Sequence, residues 1–175
     1  MARRSIREMR GMLAWLPCAL LTAAPHAIAQ RPIADYRPVT DTRLTQPADG
    51  DWLMYLRTYD SWSYSPLDSI HTRNVANLVP VWSMSTGASE GHQSPPIVND
   101  GVMFITTPFN QVFALDAKTG ELFWRYRRQL PPDLRMGHPT NRGVALYADK
   151  VYTATSDAKA VALDAATGAV VWEKA

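Results

Sequence analysis

One stretch of eleven residues in this chain has a near-copy further along. Ala114-Leu115-Asp116-Ala117-Lys118-Thr119-Gly120-Glu121-Leu122-Phe123-Trp124 returns as Ala162-Leu163-Asp164-Ala165-Ala166-Thr167-Gly168-Ala169-Val170-Val171-Trp172, identical at seven of eleven positions at a spacing of 48. Upstream of each copy, Val102-Met103-Phe104-Ile105-Thr106-Thr107 matches Val151-Tyr152-Thr153-Ala154-Thr155-Ser156 at a spacing of 49, which requires one residue gained or lost in the intervening turn. A period of this size implies like supersecondary units that cannot bury their apolar faces alone and must stack on one another.

The stretches around the repeat are short β-rich runs divided by turn residues. Val102 to Thr107, Val112 to Leu115, Leu122 to Tyr126, Val144 to Tyr147, Val151 to Thr155, Ala160 to Leu163 and Ala169 to Trp172 read as strands. A four-stranded propeller blade has about this length, so the expected fold class is all-β, an incomplete β-propeller of about two blades around 97–126 and 144–174. Blades are sandwiched between neighbours, which explains near-continuous apolar runs such as Val102 to Ile105. Asp116 and Asp164 are expected to accept local backbone N–H groups, and Gly120 and Gly168 to take positive φ, turning each third strand into the fourth. Trp124 and Trp172 then fall on outer strands, where an indole covers the adjacent blade.

The remainder of the chain sets the boundaries of that region. Residues 1–29 read as an export signal: Arg3, Arg4, Arg7 and Arg10 form a basic start, Met12 to Ala24 is apolar, and Ala27-Ile28-Ala29 is a small-x-small cleavage site. The apolar stretch is shorter than the roughly 20 residues that span a bilayer, so no stable membrane span is expected. Its removal takes away four Arg and one Glu, a net of +3, and moves the chain from +2 to −1. That near-neutral balance excludes a nucleic-acid binder, and the loss of Cys18, the single cysteine, excludes an internal disulfide or thiolate metal site. Residues 30–80 read as a lead-in, extended to about Gly50, with short helical turns at Asp51 to Leu56 and Asn74 to Leu78, before a propeller region over 81–175.

Candidate site residues follow from the repeat. Gln93 stands nine residues before Val102, and Arg142 nine before Val151. The match makes them equivalent positions entering successive innermost strands, expected to point into one axial funnel. Arg142 offers a fixed fork of donors suited to a carboxylate or phosphate. His92 and His138 lie in the same loops without a carboxylate partner close in sequence and receive no role. No nucleophile elbow, C-x-x-C-H, phosphate-binding glycine loop or H-E-x-x-H is read, and no catalytic residue or metal ligand is assigned.

Taken together, these residues resemble the start of the pyrroloquinoline quinone (PQQ)-dependent alcohol dehydrogenases, the periplasmic methanol and ethanol quinoproteins. Gly50-Asp51-Trp52, Arg57-Thr58-Tyr59-Asp60, Tyr64-Ser65-Pro66-Leu67 and Asn74-Val75 through Trp82 are similar to that family's lead into its propeller. Pro96-Ile97-Val98-Asn99-Asp100-Gly101-Val102-Met103 resembles its first innermost strand, and Asn141-Arg142-Gly143-Val144-Ala145 the segment that holds the quinone. The resemblance implies eight blades, PQQ in the axial funnel, a calcium or lanthanide ion on the quinone, an Asp base, an alcohol or sugar substrate and a cytochrome c electron acceptor. Arg142 matches the family's cofactor-contacting arginine. Gln93 stands where many members carry a glutamate, and Met136 and Gly137 where they carry adjacent cysteines; with Thr140 of the same loop these are the expected PQQ contacts on this chain. The family's metal ligands and catalytic Asp match no residue here, so this stretch alone is expected to be inactive. A non-catalytic propeller acting as an envelope assembly scaffold is the competing function.

Overall fold

The computed structural model describes residues 30–175, so the export-signal expectation for residues 1–29 lies outside the described residues. Two antiparallel sheets of four strands carry the fold, each built from consecutive hairpins. The first contains β1 (Ile97–Asn99), β2 (Val102–Thr107), β3 (Gln111–Asp116) and β4 (Leu122–Arg127). The second contains β5 (Ala145–Tyr147), β6 (Lys150–Ala154), β7 (Ala160–Asp164) and β8 (Val170–Lys174). These are two successive blades, in the all-β class that the repeat implies.

The repeated pentapeptide builds the last hairpin of each blade. Asp116 Oδ1 accepts the backbone N–H groups of Lys118 and Thr119 at 2.9 Å, and the Thr119 contact, first among several, holds the Asp116 carboxyl below its ordinary range. Asp164 Oδ1 accepts from Thr167 N at 2.8 Å. Gly120 and Gly168 sit at φ 73° and 74°. A second reason for glycine is the close approach of a ring: a β-carbon on Gly168 would stand 2.6 Å from Trp124, and one on Gly120 2.5 Å from Trp82. The indole N–H of Trp124 donates to Ala165 O (3.0 Å) and that of Trp82 to Ala117 O (3.2 Å), so each tryptophan is pinned to the turn it covers. Trp82 is therefore an earlier copy of the same device, which the sequence reading did not recognise.

The strand register corrects one expectation. Phe104 pairs with Ala114 and Ala114 with Trp124; Tyr152 pairs with Ala162 and Ala162 with Trp172. Phe104 thus corresponds to Tyr152, and Val102, opposite Asp116, to Lys150, opposite Asp164. The spacing stays at 48 through the second strands, with no residue gained or lost. Ile97, opposite Phe104, then matches Ala145, opposite Tyr152, so Arg142 corresponds to Ser94 and not to Gln93. The 49-residue match is a coincidence of apolar letters one step out of register, and one step places every side chain on the wrong face.

The lead-in differs from expectation at two places. Asp41–Thr45 forms a short helix α1, with the Thr40 hydroxyl accepting from Arg43 N at 3.3 Å; five residues are too few to show a period. Asp51 to Leu56 is not helical: Trp52 instead makes an isolated antiparallel bridge to Val98 of β1. Val75–Asn77 is a single 3-10 turn. Arg31 N donates to Phe123 O and Ile33 N to Ala166 O, and Val39 bridges Ala148, so the lead-in is stitched to both blades at the end carrying the β1–β2, β3–β4, β5–β6 and β7–β8 turns. Arg43 anchors it through Asp51 and Asn99, both at 2.8 Å. Leu53, Val39, Phe104 and Trp124 share the resulting core.

Candidate functional site

Alternation of strand direction puts the other set of connections at the opposite end of the blades: the stretch entering β1, the β2–β3 turn, the long β4–β5 link and the β6–β7 turn. Between the blades at that end lies a cleft of about 400 Å³, lined by Asn110, Thr140, Asn141, Arg142, Thr155 and Ser156 among others.

Local bonding fixes the direction of the chain through Arg142. Asn141 is buried; its Oδ1 accepts from Gly143 N at 3.0 Å, closing a side-chain turn around Arg142, and its Nδ2 donates to Ala154 O at 2.9 Å. Gly143 takes φ 119°, a backbone state closed to side-chain-bearing residues, with Ser94 and Pro95 next to the position a β-carbon would fill. Ser94 Oγ in turn accepts from Thr106 N at 3.0 Å.

Arg142 and Gln93 are brought together: Arg142 Nε donates to Gln93 Oε1 at 3.2 Å. Both side chains are exposed, and the two Nη groups of Arg142 make no hydrogen bond within the described residues. The link between them holds although their repeat positions differ by one. Thr140 lines the cleft beside Arg142, with its hydroxyl bonded to His138 Nδ1. Met136 is half-buried and Gly137 exposed, and neither lines the cleft. Both ring nitrogens of His92 are engaged, with Thr86 Oγ1 at 2.8 Å and Glu90 O at 3.0 Å.

Chemically, this is a guanidinium steadied at Nε with two nitrogens free, facing hydroxyl and amide groups. It suits a planar ligand that bears carboxylates, because the free edge can donate two parallel bonds.

Two features escaped the sequence reading. Asn110 and Ser156 line the cleft from hairpin turns, and only the 48-residue register, which sets Asn110 against Ala158, marks the former as unusual. Gly87-Ala88-Ser89-Glu90-Gly91 does spell G-x-S-x-G, contrary to expectation. It lies in neither strand nor helix, so it lacks the strand-to-helix turn that makes a nucleophile elbow. A second, apolar cleft of about 460 Å³ lies between Trp52, Tyr55, Pro95, Pro96 and Val98.

Residues 52–174 match the family model described as PQQ, glucose/ethanol/alcohol dehydrogenase, beta-propeller domain. The 1-butanol dehydrogenase (quinone) of Thauera butanivorans is 41% identical over 159 residues, which cover 88% of this chain and 26% of the relative. The quinoprotein ethanol dehydrogenase of Pseudomonas putida is 37% identical, with 99% of this chain and 28% of the relative covered. Among solved structures, a quinohemoprotein alcohol dehydrogenase of Pseudomonas putida HK5 superposes with a TM-score of 0.71 at 37% identity, over 78% of this chain and 21% of that one. A europium-containing methanol dehydrogenase gives 0.68 at 34%, over 73% and 23%. The chain thus spans about a quarter of the length of the curated relatives it matches.

Proposed function

This chain belongs to the PQQ β-propeller family of glucose, ethanol and alcohol dehydrogenases, and from that premise we propose that it supplies the lead-in and two blades of a periplasmic PQQ-dependent dehydrogenase oxidising an alcohol. The observation that carries the reading is the Arg142 to Gln93 contact at the cleft end, with both Nη groups of Arg142 left for a ligand.

PQQ, when bound, supplies the two-electron acceptor that the alcohol reduces. Arg142 would hold one of its carboxylates. Gln93 fixes the guanidinium at Nε and offers a neutral amide where a carboxylate would repel an anionic ligand. Thr140, at the cleft wall, contributes a hydroxyl, whereas Met136 and Gly137 lie outside the cleft lining and are assigned no contact with the ligand. A calcium or lanthanide ion, if bound, would polarise the quinone; among the described residues no three His, Cys, Asp or Glu side chains stand together to hold it. The europium in one relative makes the lanthanide arm of the test worthwhile. A cytochrome c would be the electron acceptor. No helix among the described residues is long and apolar enough to cross a membrane.

The test is dye-linked oxidation of ethanol and 1-butanol by the full-length protein, reconstituted with PQQ and either calcium or a lanthanide. PQQ-dependent turnover with one of the metals is expected. Absence of both turnover and PQQ binding under either metal would remove the enzyme reading and leave the scaffold function.

A further inference from the structure

The β2–β3 turn holds two consecutive non-glycine residues in the left-handed region, Phe109 at φ 63° and Asn110 at φ 55°. That conformation is unfavourable for side-chain-bearing residues, although Asn tolerates it better than most. The side chain of Asn110 is only 3% exposed and reaches between the blades. Its Nδ2 donates to Ser156 Oγ at 2.9 Å, and its Oδ1 accepts from Ser156 N at 3.3 Å and from Asn141 Nδ2 at 3.4 Å. Next to it, Phe109 N donates to Pro139 O at 3.0 Å, and Asn110 O accepts from Arg128 N at 3.2 Å. One turn of the first blade therefore grips both ends of the β4–β5 link and the β6–β7 turn of the second blade.

The matching position in the second blade is Ala158, which takes φ 57° with a methyl group. The turn conformation alone does not demand an amide, so the amide of Asn110 has another use. It meets Asn141, whose own side chain closes the turn around Arg142.

We propose that Asn110 is a positioning residue: bonded to Asn141 and Ser156 across the blade boundary, it aims the Arg142 guanidinium and so sets the affinity of the cleft for a planar, carboxylate-bearing ligand. The inference rests on the reading of Arg142 as the ligand-holding group.

Equilibrium titration of the full-length apoprotein with PQQ tests it, using Asn110→Ala, Asn110→Gly, Arg142→Ala and the double variant Asn110→Ala/Arg142→Ala, each paired with a melting curve. Glycine relieves the left-handed backbone, so Asn110→Gly keeps the test alive if the alanine variant folds poorly. Each Asn110 variant is expected to weaken PQQ binding about tenfold, the scale of a lost supporting hydrogen bond, while in the Arg142→Ala background the Asn110 substitution adds no further loss. Equal losses in both backgrounds, following the fall in melting temperature, would mean a structural role only and overturn the proposal. Asn110 variants that bind PQQ at parental affinity while Arg142→Ala binds weakly would overturn it and leave Arg142 in place. Parental affinity in Arg142→Ala would overturn both.

Discussion

The two blades share a backbone and a register but not a pattern of burial. Phe104, Ala114 and Trp124 form one cross-strand row, all at 0% exposure; Tyr152, Ala162 and Trp172 form the matching row, in which Trp172 is 37% exposed. Along β2 the first, third, fifth and sixth residues are buried, whereas along β6 the second and fourth are. The first blade seals its row against Ala165 and Gly168 of the second, while the second blade seals only the face turned back toward the first. One repeated tryptophan is thus core or surface according to whether an Asp-x-x-Thr-Gly turn stands in front of it. Burial here is a property of the stack and not of the repeat unit.

Substitutions at matched positions test that contrast, with stability read by urea or thermal unfolding. Trp124→Ala removes a fully buried indole and its bond to Ala165, and a loss of about 3–5 kcal/mol is expected; in residues 30–175 taken alone, where no further turn stands before Trp172 and its indole is 37% exposed, Trp172→Ala should cost clearly less. Equal costs would contradict the burial difference. Gly168→Ala combines positive φ with a collision against the immobile Trp124 ring, for about 2–4 kcal/mol. Gly120→Ala meets Trp82, which is only partly buried where Trp124 is fully so, and its cost should be smaller.

A smaller effect comes from the clamp between the blades. Arg128 bonds Asp157 at 2.7 Å and also Glu173, and its side chain is 14% exposed. The Arg128 guanidinium, helped by the Thr155 hydroxyl, holds the Asp157 carboxyl below its ordinary range and is itself raised by both carboxylates. A carboxyl depressed in the folded state stabilises above its unfolded value of about 3.9 and loses that contribution as pH falls from there through the folded value. Urea midpoints should therefore decline below about pH 4 in the parent, and less steeply in Asp157→Asn. The smallest change expected is Asp164→Ala, at up to about 1 kcal/mol for the lost turn bonds.

How much of this was readable beforehand follows from the same contrast. The strands were, because β-branched and aromatic runs divided by Gly and Asp announce themselves locally. The turn residues and the role of Trp124 were also readable, since each depends on the short pattern that recurs. Register was not: Val102 and Val151 look alike, and only the pairing with Asp116 and Asp164 shows that Lys150 is the true counterpart. Trp82 was missed because the residues before it lack the rest of the repeat, and α1 because five residues carry no period. The contact of Arg142 with Gln93 was anticipated from an equivalence that is wrong by one position; loop packing around Gly143 and Ser94 brings them together. Asn110 read as an ordinary turn residue because its partners, Asn141 and Ser156, are 31 and 46 positions away.

The most direct test is a crystal structure of the full-length protein soaked with PQQ. The guanidinium of Arg142 should lie at about 2.7–2.9 Å from a PQQ carboxylate, with its Nε still bonded to Gln93. PQQ seated instead in the apolar cleft of Trp52, Tyr55 and Pro96, or Arg142 turned away from it, would contradict the assignment of this cleft as the cofactor site.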